Sequence, residues 1–328
     1  MLTRRDILIR AAAAGGVAGI AALVRGGTSV FASASQPSTP VNFDVPAGAC
    51  DTHTHVFGDP RRFPFAAARN YTPEPASVEE MRALHRALHT DRVVIVHPSV
   101  YGTDNSCTLD GMKHLGLIAR GIAVIDEKTP ESALDEMDRA GIRGIRINLE
   151  TSGQSDPAVA RQRFQVAVDR IKHRGTWHIQ VYTRLSVIEG IKDLVMAAPM
   201  PVVFDHFGGA QAALGVGQPG FDTLLNLVRT GKAYVKISAP YRSSTQPPDY
   251  ADVAPLANAL IAANPQRMLW GSDWPHPASP VAHRPVTEIT PLWQVDDGRI
   301  LNQFAVWASG AALRKTILVE NPAKLYGF

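Results

Sequence analysis

At 328 residues, with 45% hydrophobic and 19% charged residues, the chain carries enough apolar material for a sizeable core, which excludes disorder over most of its length. Its 33 Lys and Arg against 30 Asp and Glu leave a formal charge of +3, without a run of five like charges or a zinc-finger spacing, so nucleic acid is not an expected partner. Two cysteines, Cys50 and Cys107, exclude a disulfide framework; the first falls in a predicted strand and the second in a predicted loop, and both are expected as ordinary buried thiols.

The first residues differ from the rest. Thr3-Arg4-Arg5-Asp6-Ile7-Leu8 precedes a run from Ala11 to Val24 built only of Ala, Gly, Val, Ile and Leu, and Ala32-Ser33-Ala34 offers small residues to a signal peptidase. Residues 1–34 therefore read as a twin-arginine export signal, with the Tat machinery as a partner and the periplasm as destination. A membrane anchor is the weaker alternative, because the apolar run is Ala/Gly-rich and shorter than the roughly 20 residues that cross a bilayer. No stable span is expected once the signal is cleaved. Residues 35–46 read as a linker, and residues 47–328 as one domain.

From there, short apolar runs alternate with longer amphipathic stretches, the signature of parallel βα units. Strands are expected at Ala49–His55, Arg92–Pro98, Gly121–Asp126, Gly144–Leu149, Trp177–Thr183, Pro201–Phe207, Ala233–Ala239 and Arg267–Asp273. Helix-period segments lie between them, including Ser77–His89, Glu131–Ala140, Pro157–His173, Ser186–Ala198, Phe221–Arg229 and Asp252–Ala263. Eight such units, with no Gly-x-Gly-x-x-Gly after any strand, predict a single (β/α)8 TIM barrel, an α/β fold, over a dinucleotide-binding sheet.

In such a barrel function gathers where the strands end, so reactive residues sharing the inward phase there are the candidates. On the first strand Asp51, His53 and His55 are expected on one face; on the sixth, Val202, Phe204 and His206; on the eighth, Leu269, Gly271 and Asp273. A lone strand-end histidine is more often satisfied in a core, but three with a carboxylate form what a general base needs. Arg146, in phase with Gly144 and Asn148, and Arg242 offer planar forks for an anionic small molecule, whereas Arg143 has the opposite phase. On the fifth strand His178, Gln180 and Tyr182 share a phase, with Tyr182 nearest the mouth.

These residues resemble the amidohydrolase superfamily. The blocks Pro46–Val56, His97–Asn105, Gly141–Ile147, Trp177–Tyr182, Val235–Arg242 and Leu269–His276 are similar to its lactonase branch, which includes 2-pyrone-4,6-dicarboxylate lactonase and D-galactarolactone isomerase. The resemblance implies a hydrolase acting on a carboxylic ester bond, with Tyr71, Ser99, Tyr182 and Arg242 at substrate-contacting positions. It also implies catalysis without a required metal; a bound zinc, if present, would use His53, His55 and Asp273, since the guanidinium of Arg146 cannot ligate.

The expected chemistry has Asp273 deprotonating a water that attacks a lactone carbonyl. His53, His55 and His206 donate to the developing oxyanion, and Arg146 and Arg242 anchor a substrate carboxylate. One departure from the branch is that Asn148 to Pro157 holds no Arg or Lys, which leaves a second carboxylate less surely held and makes a sugar-acid lactone comparable to a pyrone dicarboxylate. Alternatives are a lactone isomerase, a zinc-dependent decarboxylase of the same superfamily, and a periplasmic small-acid binding protein.

Overall fold

Runs of branched apolar residues too short for helices form the sheet, Arg92–Val96 (RVVIV) being the plainest. The computed structural model describes residues 34–278 and 285–328. Within them eight strands run parallel in chain order: β1 Cys50–Thr54, β2 Arg92–Val96, β3 Ala119–Ala123, β4 Ile142–Asn148, β5 His178–Tyr182, β6 Val202–Phe204, β7 Ala233–Ser238 and β8 Met268–Gly271. The two edges meet through the His55 N–H donating to Trp274 O (2.8 Å), the Asp273 N–H to His53 O (2.8 Å) and the Thr52 hydroxyl to Trp270 O (2.7 Å). The sheet thus curls into the expected barrel.

Helices α1 Val78–Leu88, α2 Ser106–Leu115, α3 Glu131–Ala140, α4 Pro157–Ile171, α5 Leu185–Ala197, α6 Phe221–Arg229, α7 Ala254–Ala263 and α8 Asp297–Trp307 cover its outside. The start of α1 is set by a capping box, Ser77 and Glu80 each accepting from the other's backbone. Two expectations shift. Cys107 sits in α2 instead of a loop, and it and Cys50 are both free and buried. β3 begins at Ala119 and ends before Val124, whose N–H and C=O are taken by the Asn105 side chain, so pairing cannot continue.

Two layers of apolar packing result. Val202 and Phe204 belong to the layer between sheet and helices, whereas Cys50, Val94, Val96, Ile122, Val203, Tyr234 and Leu269 fill the barrel with Leu325 and Tyr326 of the C-terminal helix Asn321–Tyr326. The expected signal falls almost entirely outside the described residues, and among these no helix is long and apolar enough to cross a membrane. Residues 35–46 have no regular strand or helix, yet they are tied down: Ser38 and Thr39 bond Asp296, and Asn302 bonds Asn42 and Pro40.

Candidate active site

The site is built on departures from regular strand geometry. β1 carries one extra residue relative to β2, since Asp51 faces Val93 while Thr54 faces Ile95. The bulge breaks the alternation expected for Asp51, His53 and His55. His53 turns into the barrel, while Asp51 points outward, accepting from the Ser272 hydroxyl (2.6 Å) and lying 3.4 Å from His85 of α1. His206 also reaches the mouth differently from expectation. Val202 and Phe204 face the helices, and it is Asp205 that continues the inward phase; His206 follows the strand and is swung back by left-handed backbone at itself (φ 49°) and Phe207 (φ 56°). Asp273 keeps the inward phase expected with Leu269 and Gly271, two residues past the end of β8, and adopts left-handed backbone at φ 66°. Gly271 permits its approach, because a Cβ there would lie 2.7 Å from that of His53.

The four expected catalytic residues converge. Asp273 Oδ1 lies 3.4 Å from His53 Nε2, 3.3 Å from His55 Nε2 and 3.7 Å from His206 Nε2. Its other oxygen is clamped, accepting from the Tyr241 hydroxyl (2.7 Å) and Arg242 Nε (2.8 Å). Burial would raise the Asp273 carboxyl, but the Arg242 guanidinium and the imidazoles hold it well below the ordinary carboxylate range. Burial keeps His206 neutral, its pKa lowered to about 3, and pushes His53 well down as well. The His55 Nδ1 lies 2.7 Å from Val96 O and its Nε2 3.3 Å from Asp273 Oδ1, so the ring is held between two acceptors.

Beneath them lies a buried ionic cluster that sequence reasoning missed. Arg146 donates to Asp205 Oδ2 (3.2 Å from Nε), as does Gln180 (3.1 Å), and the Lys236 ammonium bonds Thr52 O and Gln180 Oε1, both at 2.8 Å. The His53 Nδ1 is flanked by Lys236 Nζ and Asp205 Oδ1, each at 3.3 Å. His53, Lys236 and Arg146 outweigh burial and hold Asp205 well below the usual range, while burial draws Lys236 down to about 8. An alternating inward pattern on the seventh strand, Tyr234 then Lys236, was the signal that could have found the lysine.

The expected substrate residues line one cavity of about 440 Å³ at the mouth: Tyr71, Ser99, Arg146, Tyr182 and Arg242 share it with His55, His206 and Asp273. Tyr241 and Trp293 complete its aromatic wall. Burial lifts the Tyr71 phenol to about 12, so it stays a donor, and Tyr182 packs edge-on against His206 with ring centres 4.9 Å apart. Arg242 spends Nε on Asp273 and Nη2 on Pro277 O, and Arg146 spends Nε and Nη2 on Asp205, so the Nη1 of each has no protein acceptor among the described residues. Arg143 faces away and bonds Asp138, as its phase predicts. A larger cleft of about 710 Å³ runs alongside and shares Ser99, Arg146 and Asn148, but it contains neither Asp273 nor the convergent imidazoles, so the chemistry belongs to the smaller cavity.

The model of the amidohydrolase family matches residues 50–328. The chain belongs to that family. It is 36% identical over 290 residues to a 4-sulfomuconolactone hydrolase from Rhizobium radiobacter, covering 88% of this chain and 93% of the relative. To a 2-pyrone-4,6-dicarboxylate hydrolase from Comamonas testosteroni it is 34% identical over 301 residues, covering 89% and 94%. A crystal structure of a protein from Pseudomonas putida described as a putative 2-pyrone-4,6-dicarboxylic acid hydrolase superposes with a TM-score of 0.72 at 31% identity, covering 87% of this chain and 98% of that one.

Members of this superfamily often hold a divalent metal, and the donors here fit one. His53, His55 and Asp273 form one group whose ligand atoms lie within 4.8 Å of one another, and His53, Asp205 and His206 form another. The buried His53 Nε2 has no hydrogen-bond partner, a property of a ligand atom.

Proposed function

We propose that this chain is a lactone hydrolase that opens a small carboxylated lactone, with Asp273 as general base. The observation that carries the reading is the asymmetry of the Asp273 carboxylate: Oδ2 is occupied by Tyr241 and Arg242, while Oδ1 faces three imidazole Nε2 atoms at 3.3–3.7 Å. A carboxylate clamped through one oxygen presents the other, as a single basic atom, to a single place. The relatives named above, 4-sulfomuconolactone and 2-pyrone-4,6-dicarboxylate hydrolases at 36% and 34% identity, support the substrate class.

In this reading a water sits against Oδ1, beside His55 Nε2. As the water oxygen attacks the lactone carbonyl, its proton passes to Oδ1. His53 and His206 point N–H groups at the carbonyl oxygen; the Ser238 hydroxyl, 2.9 Å from His206 Nδ1, can donate there and leave Nε2 protonated. The ring C–O bond then breaks, and the departing oxygen takes the proton back from Asp273, giving a hydroxy acid. The Nη1 groups of Arg146 and Arg242 hold a substrate carboxylate and so fix the distance between carbonyl and base. If a divalent ion is bound, His53, His55 and Asp273 hold it, and it would polarise the carbonyl and acidify the water.

Hydrolysis of a panel of carboxylated lactones, followed by proton release and product analysis with and without prior chelator dialysis, tests the reading. Ring opening that survives dialysis is expected. Saturable binding without turnover across the panel would leave a binding protein, a rearranged ring an isomerase, and loss of turnover restored by zinc a metal-dependent enzyme. We also assign the mature chain to the periplasm on the strength of Arg4-Arg5 and the apolar run after them.

A further inference from the structure

Asp273 occupies backbone that side chains disfavour, so its surroundings must hold it there. Asp273 (φ 66°) and His276 (φ 62°) are both left-handed, a conformation that residues other than glycine disfavour. The turn between them is closed by the His276 N–H donating to Asp273 O (2.8 Å). Its outer side is gripped by a residue from the far end of the chain. The Ser35 hydroxyl lies 3.0 Å from His276 Nδ1, and Ser35 O accepts from the Trp274 indole N–H at 3.0 Å.

His276 is fully buried, and its other nitrogen lies 3.1 Å from Asp297 Oδ1 at the start of α8. The second Asp297 oxygen has no hydrogen-bond partner, so that carboxylate serves His276 alone among the described residues. The imidazole also packs edge-on against Tyr241, ring centres 5.7 Å apart, and Tyr241 is the phenol that clamps Asp273. Ser35 in turn is anchored by its neighbours, with Ser38 and Thr39 donating to Asp296 at 2.7 and 2.6 Å. The family match begins at residue 50, so Ser35 lies outside it while His276 and Asp297 lie within.

Ser35, His276 and Asp297 lie in the order of a nucleophilic triad, but Ser35 is only 7% exposed and lines neither of the two cavities at the mouth, so no substrate reaches it. We infer that they are positioning residues: the segment from Ser35 to Asn42 is a strap that holds the Asp273 turn in its productive geometry through Ser35 and His276. The kinetic half of this inference rests on Asp273 being the base; the structural half does not.

The test uses the full chain with Ser35→Ala, the conservative Ser35→Thr, and His276→Gln as a second break in the same chain of contacts. Ser35→Ala is expected to lower kcat about tenfold with KM within about twofold, because small misplacement of a base costs rate more than binding. Amide hydrogen exchange over residues 272–276 should speed up while that of β2 to β5 does not change, and Ser35→Thr should restore both. Unaltered kcat in Ser35→Ala and His276→Gln overturns the inference, as does exchange that accelerates equally in every strand. Should the unsubstituted protein open no lactone, the functional reading fails, and the exchange pattern alone still decides whether the strap holds the turn.

Discussion

Replacing Asp273 by Asn is expected to lower kcat by about 10²–10⁴-fold, the contribution of a positioned general base, while KM moves by no more than a few-fold. The amide matches the carboxylate in shape and keeps an oxygen for Tyr241 and Arg242, whose bonds to Oδ2 are 2.7 and 2.8 Å. What it loses is the ability to take a proton at the position facing the three imidazoles. The Nη1 groups proposed to hold the substrate carboxylate are untouched, so binding of the ring-opened product, measured by calorimetry, should persist. Steady-state turnover at the unsubstituted rate, with mass spectrometry confirming that the Asn has not deamidated, would place the base elsewhere.

Arg242→Met should lower kcat/KM by about 10²-fold or more, because one side chain does two things. It donates to Asp273 from Nε and, in the proposed reaction, to the substrate from Nη1. Its guanidinium, raised well above the ordinary range by the Asp273 charge despite burial, also keeps the carboxyl ionised in a buried place. The sign of the pH effect follows. In the native site Asp273 titrates well below the ordinary range, so the base is present throughout mildly acidic conditions. With methionine there, burial dominates and lifts the carboxyl, so the acid limb of kcat/KM should move to higher pH. An acid limb that stays where it was would show that the imidazoles alone hold the charge. Trp293, Tyr182 and Tyr241, with ring centres 5.7, 6.0 and 5.4 Å from the guanidinium carbon, would still frame the cavity, so a general collapse is not expected.

The convergence of His53, His55, His206 and Asp273 was legible before any coordinates, because each ends a predicted strand and strand ends of a barrel share one rim. The route by which they converge was not. Strict alternation put Asp51 beside His53 and Asp205 on the outside, and both are reversed: a bulge in β1 rotates the first pair, and left-handed backbone after β6 turns His206 back over Asp205. A period-two reading has no access to a single inserted residue or a positive φ at a non-glycine position, since nothing local favours either; distant contacts impose them.

The amino-acid sequence by itself determined the parallel barrel, the rim on which chemistry sits and the residue types that gather there, because periodicity and strand-end placement are properties of short segments. Only the tertiary structure decided what each group faces: that Arg242 and Tyr241 clamp one oxygen of Asp273, that Lys236 and Asp205 lie beneath His53, and that Ser35 reaches His276 across the length of the chain. The reason is physical. Whether a buried carboxylate is a base, a ligand or half of an ion pair depends on which charges lie within a few ångströms of it, and those neighbours come from strands and loops that the sequence keeps far apart.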